Sequence, residues 1–366
     1  MASKKSGLAR FFGFAGSSSS DAEGHSTTKI TKFKFQELAA ATRNFAPELL
    51  LGEGPYSGTY KGCLKRGGQV VAVKQFNEER MNDIFGYGYD YQPMFSAVYM
   101  HSLLHHPNIV DMIGYCIHGN QIYFVYDFMP LGSLKDYLDV LPPNKKPLDW
   151  NTRMKIAAGA AKGLNYLHDK SNPHGNIRPS NILLSEGYEP KLTDFLMFKE
   201  RVPEVDESNY CRTFRPCTHH APEFITGFKR TGRSDVYSFG LVLLELITGR
   251  MAKINLCLVK WAQRKLVGGE EFTTVADPLL KGQYPEQGLY QALSLTAECL
   301  QFSDRRPLIG YVVNVLSNLA SEIYDPNAIQ INLAGSLAIG NIQKEKLIKQ
   351  WRHVTVFCSV EVKTQT

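Results

Sequence analysis

The chain has no apolar run approaching the roughly 18 residues needed to span a bilayer. Its best stretch, Phe239 to Ile247, is short and carries Glu245. No secretory signal is visible, because the early apolar patch Phe11–Ala15 is brief and runs into Ser17–Ser20. Cysteine is sparse: seven thiols, odd in number and scattered, read as reduced cytosolic residues and not as a disulfide framework. Internal repeats are missing. Glutamate is missing from the whole stretch between Glu79 and Glu186, so nothing there can offer that side chain to a neighbouring cation.

What is present suits an ordinary globular protein. With 366 residues, 43% hydrophobic and 21% charged, the chain can bury a sizeable core and exceeds one average domain. The net charge of +6 is mild. Part of it sits in the tail residues Lys4, Lys5, Arg10, Lys29, Lys32 and Lys34, which favours weak attraction to anionic surfaces. No nucleic-acid reading motif accompanies it, so no specific nucleic-acid partner is expected.

Residues 1–28 are rich in Ser, Gly and Lys and are expected to be disordered, as part of a tail over 1–32. Leu38, Ala41 and Phe45 recur at helical spacing within 35–45. Leu50 to Phe76 is strand-like around a turn at Arg66-Gly67-Gly68, and Gln121–Phe128 reads as a strand. A short helical pattern covers Phe95–Leu104. Longer ones follow at Asn151–His168, Arg233–Leu246, Leu289–Leu300 and Leu308–Leu319. A strand-rich small half before a helical large half predicts an α+β fold of two lobes, 33–128 and 129–321, with a cleft between them. Val354–Val362 alternates like a strand without an obvious partner, and residues 322–366 are left without a structural assignment.

Four segments carry phosphate chemistry. Gly52 and Gly54 begin a glycine-rich loop of the form G-x-G-x-x-G-x-V, with Ser57 at the third glycine place, Thr59 at the valine place and Pro55 removing a backbone donor. Val71-Ala72-Val73-Lys74 follows like a V-A-I-K strand, whose lysine contacts the α- and β-phosphates. That lysine normally pairs with a helix glutamate, and alignment on Leu103–Val110 puts Ala97 there. His174-Gly175-Asn176 through Asn181 follows H-R-D-L-x-x-x-N, with Gly175 for Arg and Asn176 for the Asp that accepts the substrate's hydroxyl proton. A neutral carboxamide cannot take up a proton near pH 7. Arg178 is a further catalytic-loop candidate. Lys191-Leu-Thr-Asp194-Phe195-Leu196 follows D-F-G with Leu for Gly; Asp194 and Asn181 keep the two positions suited to Mg²⁺.

From Phe33 to Leu319 the chain resembles plant receptor-like cytoplasmic kinases, the subfamily that includes immune-signalling kinases. The phrases that carry this are Phe35–Thr42, Leu103–Asn108, Met129–Leu134, Leu148–Arg153 and Leu244–Arg250. The resemblance implies a two-lobed protein kinase fold. It implies a nucleotide site at Gly52, Gly54, Ser57, Ala72, Lys74, Tyr126, Asp127, Met129 and Leu183, with Tyr126 as gatekeeper. It also implies that Glu223 pairs with Arg306, that Asp235 anchors the catalytic loop, and that His174 and Phe195 belong to the spine joining the lobes.

Several departures weaken the catalytic side of that resemblance. Arg215-Pro216 replaces Gly-Thr, and Gly175 removes the Arg that would grip a phosphorylated activation segment. The chain starts Met1-Ala2 and its first cysteine is Cys63, so no acylation signal is expected at the N-terminus. Cys211, Cys217, His219 and His220 lack the spacing of a known zinc module and read as a variable loop. The expectation is a pseudokinase serving as a binding or scaffold module in receptor-proximal signalling. It would be cytoplasmic, held peripherally at the plasma membrane through partners such as receptor kinases, with weak or absent ATP and Mg²⁺ binding. The alternative is a weak serine/threonine kinase, supported by the retained Lys74, Asn181 and Asp194.

Overall fold

The computed structural model describes residues 30–54, 57–76, 101, 103–119, 121–138, 141, 143, 145–194, 219–223, 231–252, 257–326 and 340–354. Within them a strand-rich lobe precedes a helical one. The small lobe holds β1 (Thr31–Lys32), α1 (Phe35–Ala41), β2 (Leu50–Glu53), β3 (Ser57–Cys63), β4 (Val70–Phe76), β5 (Met112–His118) and β6 (Gln121–Asp127). The strands form one sheet in the order β1-β5-β6-β4-β3-β2. All pairings are antiparallel except β1 with β5.

Two faces of this sheet are covered separately. Val71, Val73, Tyr123 and Val125 pack on Leu38 of α1, while Phe76, Phe124, Tyr126 and Met129 form a second cluster on the other side. This follows from the period of two along a strand, since Val71 and Val73 share a face that Ala72 and Lys74 do not. The turn joining β3 to β4 places Gly67 at φ 86° and Gly68 at φ 67°, conformations that side chains resist.

Helix α1 is shorter than its apolar spacing predicts. The helical pattern over 35–45 stops at Ala41, because Arg43, Asn44 and Phe45 all take positive φ. Thr42 anchors the break: its Oγ1 donates to the Leu38 carbonyl at 2.8 Å and accepts from the Phe45 N–H at 3.1 Å.

The large lobe contains α2 (Lys135–Leu138), α3 (Trp150–Asp169), β7 (Ile182–Leu184), β8 (Pro190–Leu192), α4 (Gly232–Thr248), α5 (Leu258–Val267), α6 (Glu286–Cys299) and α7 (Ile309–Ser321). Asp149 starts α3 by accepting from the Thr152 N–H at 2.8 Å. Small residues let α3 approach its neighbours closely: a Cβ at Gly163 would stand 2.6 Å from the Asn108 carbonyl oxygen. That approach seats the β7–β8 ribbon against the helix. Helix α4 is buried from Ser234 to Thr248, as expected of a helix at the centre of a lobe. Thr231 caps it at the start and Gly249, at φ 65°, ends it.

The region after Tyr324, unassigned from sequence, contains α8 (Asn341–Arg352). It packs on α5 and α6 with Leu347 and Trp351 buried. Trp351 Nε1 donates to the Leu293 carbonyl, and Gln263 Nε2 donates to the Trp351 carbonyl at 2.9 Å. Of the strand-like pattern Val354–Val362, only Val354 lies within the described residues.

Candidate active site

Lys74 projects from β4 toward the segment after β8. Its Nζ lies 2.5 Å from Asp194 Oδ1, an ion pair between groups 120 residues apart in sequence. Asp194 holds φ 60°, a left-handed conformation that Asp tolerates better than most residues. Burial alone would push its carboxyl up. The charge of Lys74 and its hydrogen bond outweigh that and hold the group below the usual carboxylate range.

The loop before β7 is fixed by its backbone. Asp235, on α4, accepts from the His174 N–H and the Gly175 N–H, each at 2.7 Å. His168 of α3 reaches the same carboxylate at 2.9 Å. Gly175 takes φ 72°, which glycine adopts without strain. His174 is buried, and burial brings its pKa down to about 4.

Asn176 is held by its main chain. Its N–H donates to His174 Nδ1 at 3.2 Å, and its carbonyl accepts from Asn181 Nδ2 at 2.9 Å. The Asn176 carboxamide makes no hydrogen bond to another described residue. Asn181 is buried on the turn Pro179–Asn181, where its Oδ1 lies 3.3 Å from Ser180 Oγ. Arg178 is turned locally, its Nε donating to Ser180 Oγ at 2.9 Å. The loop therefore has a defined shape but carries amides where proton transfer would need a carboxylate.

The expected nucleotide positions converge in part. Ala72, Tyr126, Met129 and Leu183 belong to one apolar cluster at the junction of the lobes. Ala72 faces Tyr126 directly across the β4–β6 pairing. The Asp127 N–H is occupied by the Asp111 carbonyl at 3.2 Å. Gly52 lies on β2, and Gly54 donates its N–H to the Ser57 carbonyl at 2.7 Å, closing the turn into β3. Ser57 itself is buried. Pro55, Ala97, Phe195, Leu196, Arg215, Pro216, Cys211 and Cys217 lie outside the described residues.

Sequence reading missed His101. This buried histidine bonds the Val110 carbonyl at 3.0 Å, with its ring 5.5 Å from that of Tyr126. Burial brings its pKa down to about 4, against the opposing Val110 hydrogen bond and the charges of Asp194 and Asp111. Its sequence signal was weak, because a histidine in an apolar helical pattern reads as an exposed interruption.

The donor set suits Mg²⁺, which prefers oxygen ligands and is commonly held by one or two carboxylates together with substrate phosphates. Asp194 and Asn181 supply a carboxylate and an amide oxygen of that kind. Among the described residues no group of three His, Cys, Asp or Glu side chains forms a self-sufficient metal cage. His219 is engaged elsewhere, with Nε2 lying 2.8 Å from the buried Glu245 Oε2. Arg306 grips Glu223 through its two terminal guanidinium nitrogens at 2.5 and 2.9 Å, tying Glu223 to the helical lobe.

A family model described as protein tyrosine and serine/threonine kinase matches residues 47–276. The chain belongs to this kinase family. The lobed sheet-and-helix architecture agrees with that fold. The chain is 51% identical over 81% of its length to the Arabidopsis thaliana serine/threonine-protein kinase PBL27. It is 49% identical over 81% to the serine/threonine-protein kinase PBS1, and 47% over 85% to the probable serine/threonine-protein kinase PBL7, both also from Arabidopsis thaliana. It covers 58% of the length of PBL27, 65% of PBS1 and 83% of PBL7. No helix among the described residues is long and apolar enough to cross a membrane.

Proposed function

We propose that this kinase-family chain is a signalling module whose phosphoryl transfer is strongly impaired, and whose main output is binding. The observation that carries the reading is Asn176, a neutral amide on a loop otherwise held in shape by Asp235, His174 and Asn181. Losing a general base lowers a rate by about 10² to 10⁴. A kinase turning over at roughly 10 s⁻¹ would fall to roughly 10⁻¹ to 10⁻³ s⁻¹. Receptor kinases or other receptor-proximal proteins are the partner class this reading favours. Peripheral placement at the plasma membrane would then come through those partners.

A second reading is a weak serine/threonine kinase. The names of its relatives favour it, as do Lys74, Asn181 and Asp194. Where ATP binds, Lys74 would contact its phosphates, and Asp194 with Asn181 would hold Mg²⁺. When bound, the metal supplies charge neutralisation on the phosphate oxygens. Positioning and electrostatics supply most phosphoryl-transfer catalysis, so these residues alone could sustain a residual rate.

A radiolabelled phosphotransfer assay against the Lys74→Ala control separates the two. Lys74-dependent transfer at ordinary kinase rates would overturn the impaired reading. A thermal-shift titration with ATP, with and without Mg²⁺, reports nucleotide binding independently of chemistry.

A further inference from the structure

Helices α5 and α8 lie side by side, tied by the Gln263–Trp351 hydrogen bond and, just past the end of α5, by the Lys344–Glu271 ion pair. The two helices run antiparallel. The apolar side of α8, Leu347 and Trp351, is used up against the lobe. Its outward side carries Lys346, Lys349 and Arg352, all exposed, and α5 adds exposed Lys260 and Arg264. Among the described residues no ion pair joins Lys260, Arg264, Lys349 or Arg352 to an acid. Of the acids bordering this face, Glu270 and Glu271 are already paired with Lys265 and Lys344, and Glu298 of α6 faces Lys346 while accepting from Gln350 Nε2 at 3.2 Å. Glu345 is the exposed exception on α8. Ile342 is 84% exposed on the same side, one turn before Lys346.

We infer that the outer face of α5 and α8 is a binding surface for anionic phospholipid membranes. The charges are spread along about 9 Å of α8 and across onto α5 and converge on no single point, which fits a diffuse anionic surface better than one phosphate group. The exposed Ile342 adds an apolar contact at the headgroup boundary. Such attachment is reversible and depends on salt, because the screening length contracts from about 10 Å at 0.1 M to about 3 Å at 1 M. It is independent of Asn176 and of any phosphoryl transfer.

The test is co-sedimentation of the full chain with phosphatidylcholine vesicles, with and without phosphatidylserine. The expected result is binding only to the phosphatidylserine vesicles, weakening as salt rises. Each basic group near such a surface contributes roughly fivefold to partitioning. The triple variant Lys346→Gln, Lys349→Gln, Arg352→Gln should therefore lose about a hundredfold, with an unchanged melting temperature. The independent pair Lys260→Gln, Arg264→Gln should lose about 25-fold. The inference is overturned if phosphatidylserine gives no enrichment or if both variants bind like wild type. Loss only on replacing Lys4, Lys5 and Arg10 overturns it too, as does retention on polyglutamate without vesicle binding.

Discussion

Lys74 Nζ meets Asp194 Oδ1 at 2.5 Å, so the candidate phosphate-binding cation and the candidate metal-binding carboxylate neutralise each other. The pair fixes Lys74 without calling on a helix glutamate. Lys74→Ala should therefore abolish any ATP-dependent rise in melting temperature. At ATP about tenfold above Kd the stabilisation lost would be ~1.4 kcal/mol. A thermal-shift titration reads this directly. An unchanged shift in the variant would remove Lys74 from the nucleotide site.

Two buried histidines should make the protein acid-sensitive. His101 and His174 both have folded-state pKa values lowered by burial from 6.5 to about 4. The proton then prefers the unfolded chain. Stability from each is complete above the unfolded value and is lost as pH falls from about 6.5 toward about 4. The effect is on the order of 3 kcal/mol per histidine. Asp194, with its depressed pKa, adds a further loss at lower pH still. Urea midpoints at neutral pH and near pH 4.5 check this, and His101→Leu should flatten part of the slope.

Arg153 is a buried cation satisfied on three sides. Its Nε donates to Leu148, one terminal nitrogen to Leu246, and the other to Asp277 Oδ2 at 2.6 Å. Arg153→Ala strands Asp277 in the interior and should cost about 3–5 kcal/mol. Equilibrium denaturation of the variant measures this; a loss under about 1 kcal/mol, the scale of an exposed pair, would contradict it.

Trp351 should control the docking of α8. Trp351→Ala removes the side chain that fills the space against α6 and should release the helix locally. Hydrogen exchange over 341–352 should accelerate strongly while α4 keeps its protection. Uniform acceleration through both helices would mean instead that α8 is part of the global core.

Much of the candidate site could be read because its residues lie in short motifs at fixed spacing. Lys74 lies in a Val-Ala-Val-Lys strand, Asn181 five residues after Asn176, and Asp194 before Phe195. The central helices were legible because α3 and α4 carry long apolar patterns. Other parts were not. Helix α8 buries only Leu347 and Trp351 among lysines and glutamines, too sparse a pattern to read as periodic. The end of α1 depended on Thr42 and three positive φ values, which apolar spacing does not encode. His101 was invisible because its partner is a backbone carbonyl rather than a side chain at recognisable spacing.

Restoring one group should not restore the chemistry if several parts were lost together. Asn176→Asp supplies a proton acceptor, but Ser57 remains at the third glycine place and Ala97 at the glutamate position. The variant should stay far below ordinary kinase rates in single-turnover assays. Recovery to roughly 1–10 s⁻¹ would make the missing carboxylate the sole defect.

The central claim is that the active-site frame is kept while phosphoryl transfer is impaired. Radiolabelled phosphotransfer by the wild-type chain, beside Lys74→Ala, tests it most directly. The account predicts transfer at least about 10²-fold below ordinary kinase rates. Rapid transfer that disappears in Lys74→Ala would contradict it.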